Sequence, residues 1–171
     1  MKNTLSLLAV ASLLAGCATY KPTIPEGYIG PRATVKDTVK QYSNSKADFF
    51  YVSHVDGNEV ENSRIRTLIA NSGRGPFMTP VVLQHEIPAR SVALSIIGRT
   101  QYAAPILAII DSVYEVKGVV EFVAEPNKTY AVRGKLGGDG SAVWVEEEST
   151  SSPVGKKIQS KGSAKLGLFD K

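Results

Sequence analysis

The sequence predicts a mainly β fold, an antiparallel β-sandwich with one or two short helices, on three observations. From Ala33 onward, short runs rich in β-branched and aromatic residues dominate the chain. Turn signals of Gly, Pro, Asn and Asp recur about every 8–12 residues, and no strand–helix–strand rhythm indicates a parallel sheet. The chain has 171 residues, enough for one domain with a single core.

The first element, Ala33-Thr34-Val35-Lys36-Asp37-Thr38-Val39, reads as an edge strand. The run Asp48 to Val55 carries apolar residues on both faces, which places it centrally. Asp56-Gly57 after it is a strong hairpin turn. In 62–70, Ile65, Leu68 and Ile69 recur at helical spacing, Asn62 can cap the start and Gly73 can end it. Strand alternation of Ile65, Thr67 and Ile69 competes there, and a short helix is the expectation chosen. Thr79–Glu86 and Ser91–Gly98 read as two strands around Ile87-Pro88-Ala89-Arg90, with Val92, Leu94 and Ile96 on one face of the second. The apolar segment 103–110, with Pro105 placed for a first helical turn, is expected to be a short buried helix covering one end of a sheet.

Val116 to Leu136 gives the clearest pattern. Val116, Gly118, Val120, Phe122 and Ala124 alternate with Glu115, Lys117, Val119, Glu121 and Val123. On the return, Tyr130, Val132, Gly134 and Leu136 share a face. The expectation is a hairpin with an odd loop of about three or five residues around Pro126-Asn127, placing Glu121 near Arg133. Gly137-Gly138-Asp139-Gly140 then turns the chain into a strand over 141–146. Ser149 to Pro153 turns it again into Val154–Ile158, and 161–171 reads as a frayed tail. The domain is thus expected over 33–160, as a sandwich of immunoglobulin-like or transthyretin-like kind.

Ahead of the domain lies a different texture. Lys2 precedes an apolar run, Leu5 to Leu14, too short to span a bilayer, which needs about 20 residues. It ends in Leu14-Ala15-Gly16-Cys17, which holds the only cysteine of the chain. This stretch resembles the lipobox of bacterial lipoproteins. The resemblance implies a signal peptide over 1–16, cleavage after Gly16 and a diacylglyceryl group on Cys17, with further acylation of the new amine. Buried acyl chains hold at about 0.8 kcal/mol per CH2, so several anchor far better than one. Residues 17–32, rich in Pro and Gly, read as lipidated Cys and flexible tether reaching roughly 50 Å when stretched. Ala18 is not the Asp associated with inner-membrane retention, so the resemblance favours the outer membrane.

The body also looks familiar. Residues 55–63 (VDGNEVENS), 103–106 (AAPI), 130–136 (YAVRGKL) and 142–158 (AVWVEEESTSSPVGKKI) resemble uncharacterised proteobacterial outer-membrane lipoproteins carrying one β-sandwich. The resemblance implies fold and location, and no chemistry at any residue.

Candidate chemistry is sparse. A formal charge of +4 is no nucleic-acid signature. His54, Asp56 and Glu59, and the adjacent His85 and Glu86, invite a metal reading but lack ligand spacing; neighbours on a strand point to opposite faces. No Gly-x-Ser-x-Gly elbow occurs. Gly137-Gly138-Asp139-Gly140 lacks the helix and Lys of a phosphate loop, and the Asn127-Lys128-Thr129 sequon carries no weight in a bacterial chain. No catalytic, cofactor or metal residue is assigned. Two basic groups remain, Arg64, Arg66 and Arg74, and Lys156, Lys157, Lys161, Lys165 and Lys171, with Glu146, Glu147 and Glu148 expected to pair partly with Lys156 and Lys157. The expected function is a non-catalytic binding or scaffold module held on the membrane through Cys17, with an envelope protein or an anionic envelope surface as partner. The alternative is a component of an envelope machine, such as a type VI secretion membrane-complex lipoprotein.

Overall fold

Alternating apolar residues along nearly every strand build two sheets that face each other across one core. The computed structural model describes residues 20–167 and 169–171; the signal segment and Cys17 lie outside them. The strands are β1 (Arg32–Lys36), β2 (Thr38–Ser43), β3 (Lys46–Val55), β4 (Asn58–Glu59), β5 (Gln84–Pro88), β6 (Ser91–Tyr102), β7 (Glu115–Val123), β8 (Thr129–Lys135), β9 (Ala142–Glu147) and β10 (Ser152–Gln159). Two helices join them, α1 (Ser63–Ala70) and α2 (Pro105–Ile110). One sheet runs β10-β9-β8-β1-β5 and the other β2-β3-β6-β7, with β4 beside the end of β3. All pairings are antiparallel except β1 with β8. This is the expected β-sandwich.

Between the sheets lie Val35, Phe50, Val52, Leu94, Ile96, Val120, Tyr130, Val132, Val143 and Val145, all buried. Each fully buried side chain of this size contributes about 1.5–3 kcal/mol. Val92, Leu94 and Ile96 do share the inward face, as their spacing predicts. Asp56 (φ 48) and Gly57 (φ 80) both take positive φ, the turn that a tight hairpin needs, and Val55 pairs with Asn58 across it.

The Val116–Leu136 segment is not a hairpin. β7 pairs with β6 in one sheet, and β8 pairs with β9 and β1 in the other. Residues 124–128 carry the chain across the core, with Phe122 set edge-on to Tyr130 at 4.9 Å. The Tyr130 hydroxyl accepts from Glu125 N at 2.9 Å. Alternation is the same for a strand pair within one sheet and for two strands facing each other across a core, so spacing alone does not separate them. Arg133 consequently meets Glu146 across β8–β9 at 2.9 Å, rather than Glu121.

Four other expectations change. Residues 33–39 are not one edge strand: the chain switches sheets at Asp37, and β1 lies between β8 and β5. The strand expected at Thr79 begins at Gln84, because the backbone before it bonds to α1. Val81 N donates to Thr67 Oγ1 at 2.8 Å and Leu83 N to Ser63 Oγ at 2.7 Å. Helix α1 forms where expected, capped by Asn62 accepting from Ile65 N at 3.1 Å. Its buried residues, however, are Ser63 and Thr67 rather than the isoleucines. Helix α2 also forms, with Pro in its first turn, but buries no residue: Ile106, Ile109 and Ile110 are 60%, 53% and 76% exposed.

The flanking segments are held more closely than a tether and a frayed tail would be. Lys21 N donates to Glu59 O at 3.1 Å, and Ala89 N to Pro31 O at 2.9 Å. At the other end, Glu115 N donates to Ala164 O at 2.9 Å and Leu166 N to Val113 O at 2.8 Å, beside the start of β7.

Candidate functional site

The outer face of the β2-β3-β6-β7 sheet is where polar chemistry collects. On β6, Ile97, Arg99 and Gln101 point away from the core. Across the ladder, Arg99 stands opposite Phe49 on β3 and Glu115 on β7. Part of this face is roofed by α1 and the loop behind it, giving a small second core of Ala47, Phe49, Tyr51 and Met78. Where α1 ends its cover and α2 begins, a cavity of about 420 Å3 opens.

Two arginines line it. Arg64 and Leu68 are four residues apart on α1 and so share a side of the helix. Arg64 Nε donates to Gln101 Oε1 at 2.8 Å, and among the described residues no carboxylate lies within ion-pair distance of it. Burial pushes its guanidinium below the ordinary arginine pKa, opposed by the Tyr51 hydroxyl and Glu115. Arg99 differs: it is paired with Glu115, their side chains being only 16% and 13% exposed. Burial alone would raise the Glu115 carboxyl, but Arg99 and Lys117 (3.1 Å) hold it below its usual value. Arg99 also donates to Asp170 O at 3.1 Å. Ala103, Pro105, Ala108 and Val113 supply the apolar wall, and Lys171 closes the rim by donating to Asp111 O at 2.8 Å.

The residues singled out in the sequence do not converge. His54 is the penultimate residue of β3, with its Nδ1 3.1 Å from Ser53 Oγ. Glu59 stands opposite it on β4, while Asp56 is held by Arg90 at 2.8 Å and by Ala93 N at 2.9 Å. His85 lies in the other sheet, on β5. Its Nε2 is buried without a hydrogen-bond partner in the described structure, and burial lowers its pKa against the opposing pull of Glu61. Among the described residues, no group of three His, Cys, Asp or Glu side chains could hold a metal ion. Gly137 to Gly140 form the β8–β9 connection.

The basic groups disperse. Arg64 turns into the cavity, Arg66 pairs with Glu61 at 3.4 Å, and Arg74 lies in the exposed loop after α1. Lys156 and Lys157 do not meet the glutamates, because the β10 register shifts between Val154 and Ile158. Lys157 instead sits over the Trp144 ring at 4.1 Å. Glu146, Glu147 and Glu148 pair with Arg133 (2.9 Å), Lys128 (3.6 Å) and Lys36 (2.7 Å) respectively.

Sequence reading missed Arg99 and Gln101 because it ended the strand at Gly98. Continued alternation through Arg99, Gln101 and the β-compatible Thr100 and Tyr102 was the available signal. The cavity offers a guanidinium fork, hydrogen-bond donors and an apolar wall. Comparison with family models, curated proteins and solved structures finds no match to this chain.

Proposed function

We propose that this chain is a lipid-anchored lipoprotein of the cell envelope, acting as a non-catalytic binding module. The observation that carries the reading is the Leu14-Ala15-Gly16-Cys17 sequence closing a short apolar run behind Lys2. A folded β domain to which the chain is bonded from Lys21 onward among the described residues supports it, since a cleaved and acylated Cys17 would then lie only four residues ahead of that bond. Among the described residues no helix is long and apolar enough to cross a membrane; in this reading acyl chains on Cys17 attach the chain to the membrane. Ala18 favours the outer membrane, with the domain facing the periplasm. Metabolic labelling with a radioactive fatty acid tests the anchor: the wild type takes label and Cys17→Ser does not. Equal labelling of both would overturn it.

A second reading, a subunit of a larger envelope machine such as a type VI secretion membrane complex, draws on the exposed isoleucines of α2. An apolar helix face of that kind suits a protein partner. Cross-linking from a residue substituted at Ile110 to one abundant envelope protein, in stoichiometric yield, would favour it over a freestanding module.

A further inference from the structure

The cavity between α1, β6 and α2 has the charge and shape of a receptor for one kind of small molecule. Three features narrow the choice. The first is charge. Arg99 is already neutralised by Glu115, and the second oxygen of that carboxylate faces Lys117 at 3.1 Å. Lys171, at the rim, is held by the Ile109 and Asp111 carbonyls with the Asp111 carboxylate close by, so Arg64 is the cation inside the wall that has no carboxylate beside it, and the interior has one positive charge to satisfy. A monoanion matches it, whereas a dianion such as a phosphate monoester would leave a negative charge poorly solvated.

The second feature is geometry. Gln101 holds Arg64 through Nε at 2.8 Å. Tethering at Nε, with the Tyr51 hydroxyl also beside the guanidinium, fixes its plane, and among the described residues no carboxylate occupies its terminal nitrogens. A planar fork of this kind recognises a carboxylate through two parallel hydrogen bonds. Gln101 is itself restrained, its Nε2 donating to Tyr102 O at 2.7 Å, so the fork is organised before any ligand arrives.

The third feature is the wall. Leu68, Ala103, Pro105, Ala108, Ile109 and Val113 line the same cavity of about 420 Å3. This is within the range of small-molecule sites, which run from about 300 to 1,000 Å3 and are mostly apolar with a few placed polar groups. A fully hydrated anion gains nothing from such a wall. An anion with an apolar body does.

We propose that this cavity binds a small amphipathic monocarboxylate, its carboxylate on Arg64 and its apolar body against α2 and Val113. The proposal names a ligand class for the binding module described above and rests on that reading. It does not depend on how the chain is anchored.

The test is calorimetric titration of the full-length protein in non-ionic detergent, with detergent-only blanks. The probes are octanoate, octanol and acetate, which supply both halves of the ligand, the apolar half and the charged half. Octanoate should bind saturably and at least about tenfold more tightly than either of the others. Arg64→Gln should weaken octanoate by about tenfold or more while leaving octanol unchanged. Ala108→Phe, which fills the apolar end without touching the charge, should abolish octanoate binding, and Lys156→Gln on the opposite sheet should leave it intact. Unchanged melting curves certify that the variants are folded. Equal affinity for octanol and octanoate, undiminished binding by folded Arg64→Gln, or no saturable heat in the millimolar range would each overturn the proposal. Loss of octanoate binding with fatty-acid labelling of Cys17 intact would reject the ligand and leave the anchor standing.

Discussion

Ser63 donates twice to one oxygen of Asp37, through its backbone N–H at 2.8 Å and its hydroxyl at 2.7 Å. The other oxygen of Asp37 accepts from Val52 N at 3.0 Å. Asp37 is 1% exposed and sits where the chain crosses from one sheet to the other. It therefore ties the crossover to the middle of β3 and to the start of α1. Burial raises its pKa from 3.8 to about 6, although all three donors pull the other way.

A pH dependence of stability follows. The folded state holds the Asp37 proton more tightly than the unfolded chain, so this group costs nothing below about pH 4. Stability then falls as pH rises through about 6, and the full cost of ionising the buried group is reached above it. The shift corresponds to about 3 kcal/mol. Asp37→Asn should remove this slope while losing about 1–3 kcal/mol for a donor left unmatched by an amide. Urea unfolding of both proteins from pH 4 to 7 checks it: parallel pH profiles would show that Asp37 is not the titrating group.

Glu147 acts at the opposite end of the pH scale. Its carboxylate accepts from the hydroxyls of Ser149 and Thr150, with Lys128 nearby at 3.6 Å, and its pKa is held at about 2. The stabilisation is present above the unfolded value of 4.5 and is lost as pH falls towards about 2. Replacing Ser149 and Thr150 with alanine should move the acid-unfolding midpoint to higher pH, as followed by far-ultraviolet circular dichroism.

Gly155 lets β10 pass close beside β7. An added Cβ would stand 2.6 Å from Val120 Cγ1 and 2.8 Å from Glu121 O, at a φ of +64. Gly155→Ala should cost about 1–3 kcal/mol in overpacking, with a further 1–2 for the left-handed backbone. A melting temperature within a degree of the wild type would contradict this close approach.

Ile106 is 60% exposed on α2. Ile106→Asp should therefore change unfolding free energy by no more than about 0.5 kcal/mol. A loss of several kcal/mol in chemical unfolding would mean that the helix is packed as a lid after all.

What the sequence revealed, and what it hid, follows from the range of each interaction. Turn chemistry is local, so Asp56-Gly57 and Gly137 to Gly140 were legible, as was the Asn62 cap of α1. Alternation reports which side chains face a core, and it placed Val92, Leu94, Ile96, Val120 and Val132 correctly. It carries nothing about which strand lies alongside. That is why β7 and β8 looked like a hairpin when they stand on opposite sides of the core. Hydroxyls also misled: Ser63 and Thr67 are the buried face of α1 because the backbone at 81–83 bonds to them, a contact that no apolar spacing announces. The cavity was invisible for the same reason, since Arg64 and Arg99 come from elements that only the fold brings together.

The hydrogen bond from Lys21 to Glu59 has a further consequence. From Cys17 to Lys21 the chain can span at most about 14 Å, so an acylated Cys17 would seat the domain with its Asp56-Gly57 turn close to the bilayer. In that seating the long strand β6 would lead away from the bilayer from Ser91 to Tyr102, a length of about 35–40 Å at roughly 3.3 Å per residue. Helix α2 and the arginine-lined cavity sit at the top of that post. With Cys17 acylated, a ligand or protein reaching them would arrive through the aqueous compartment, out of contact with the lipid.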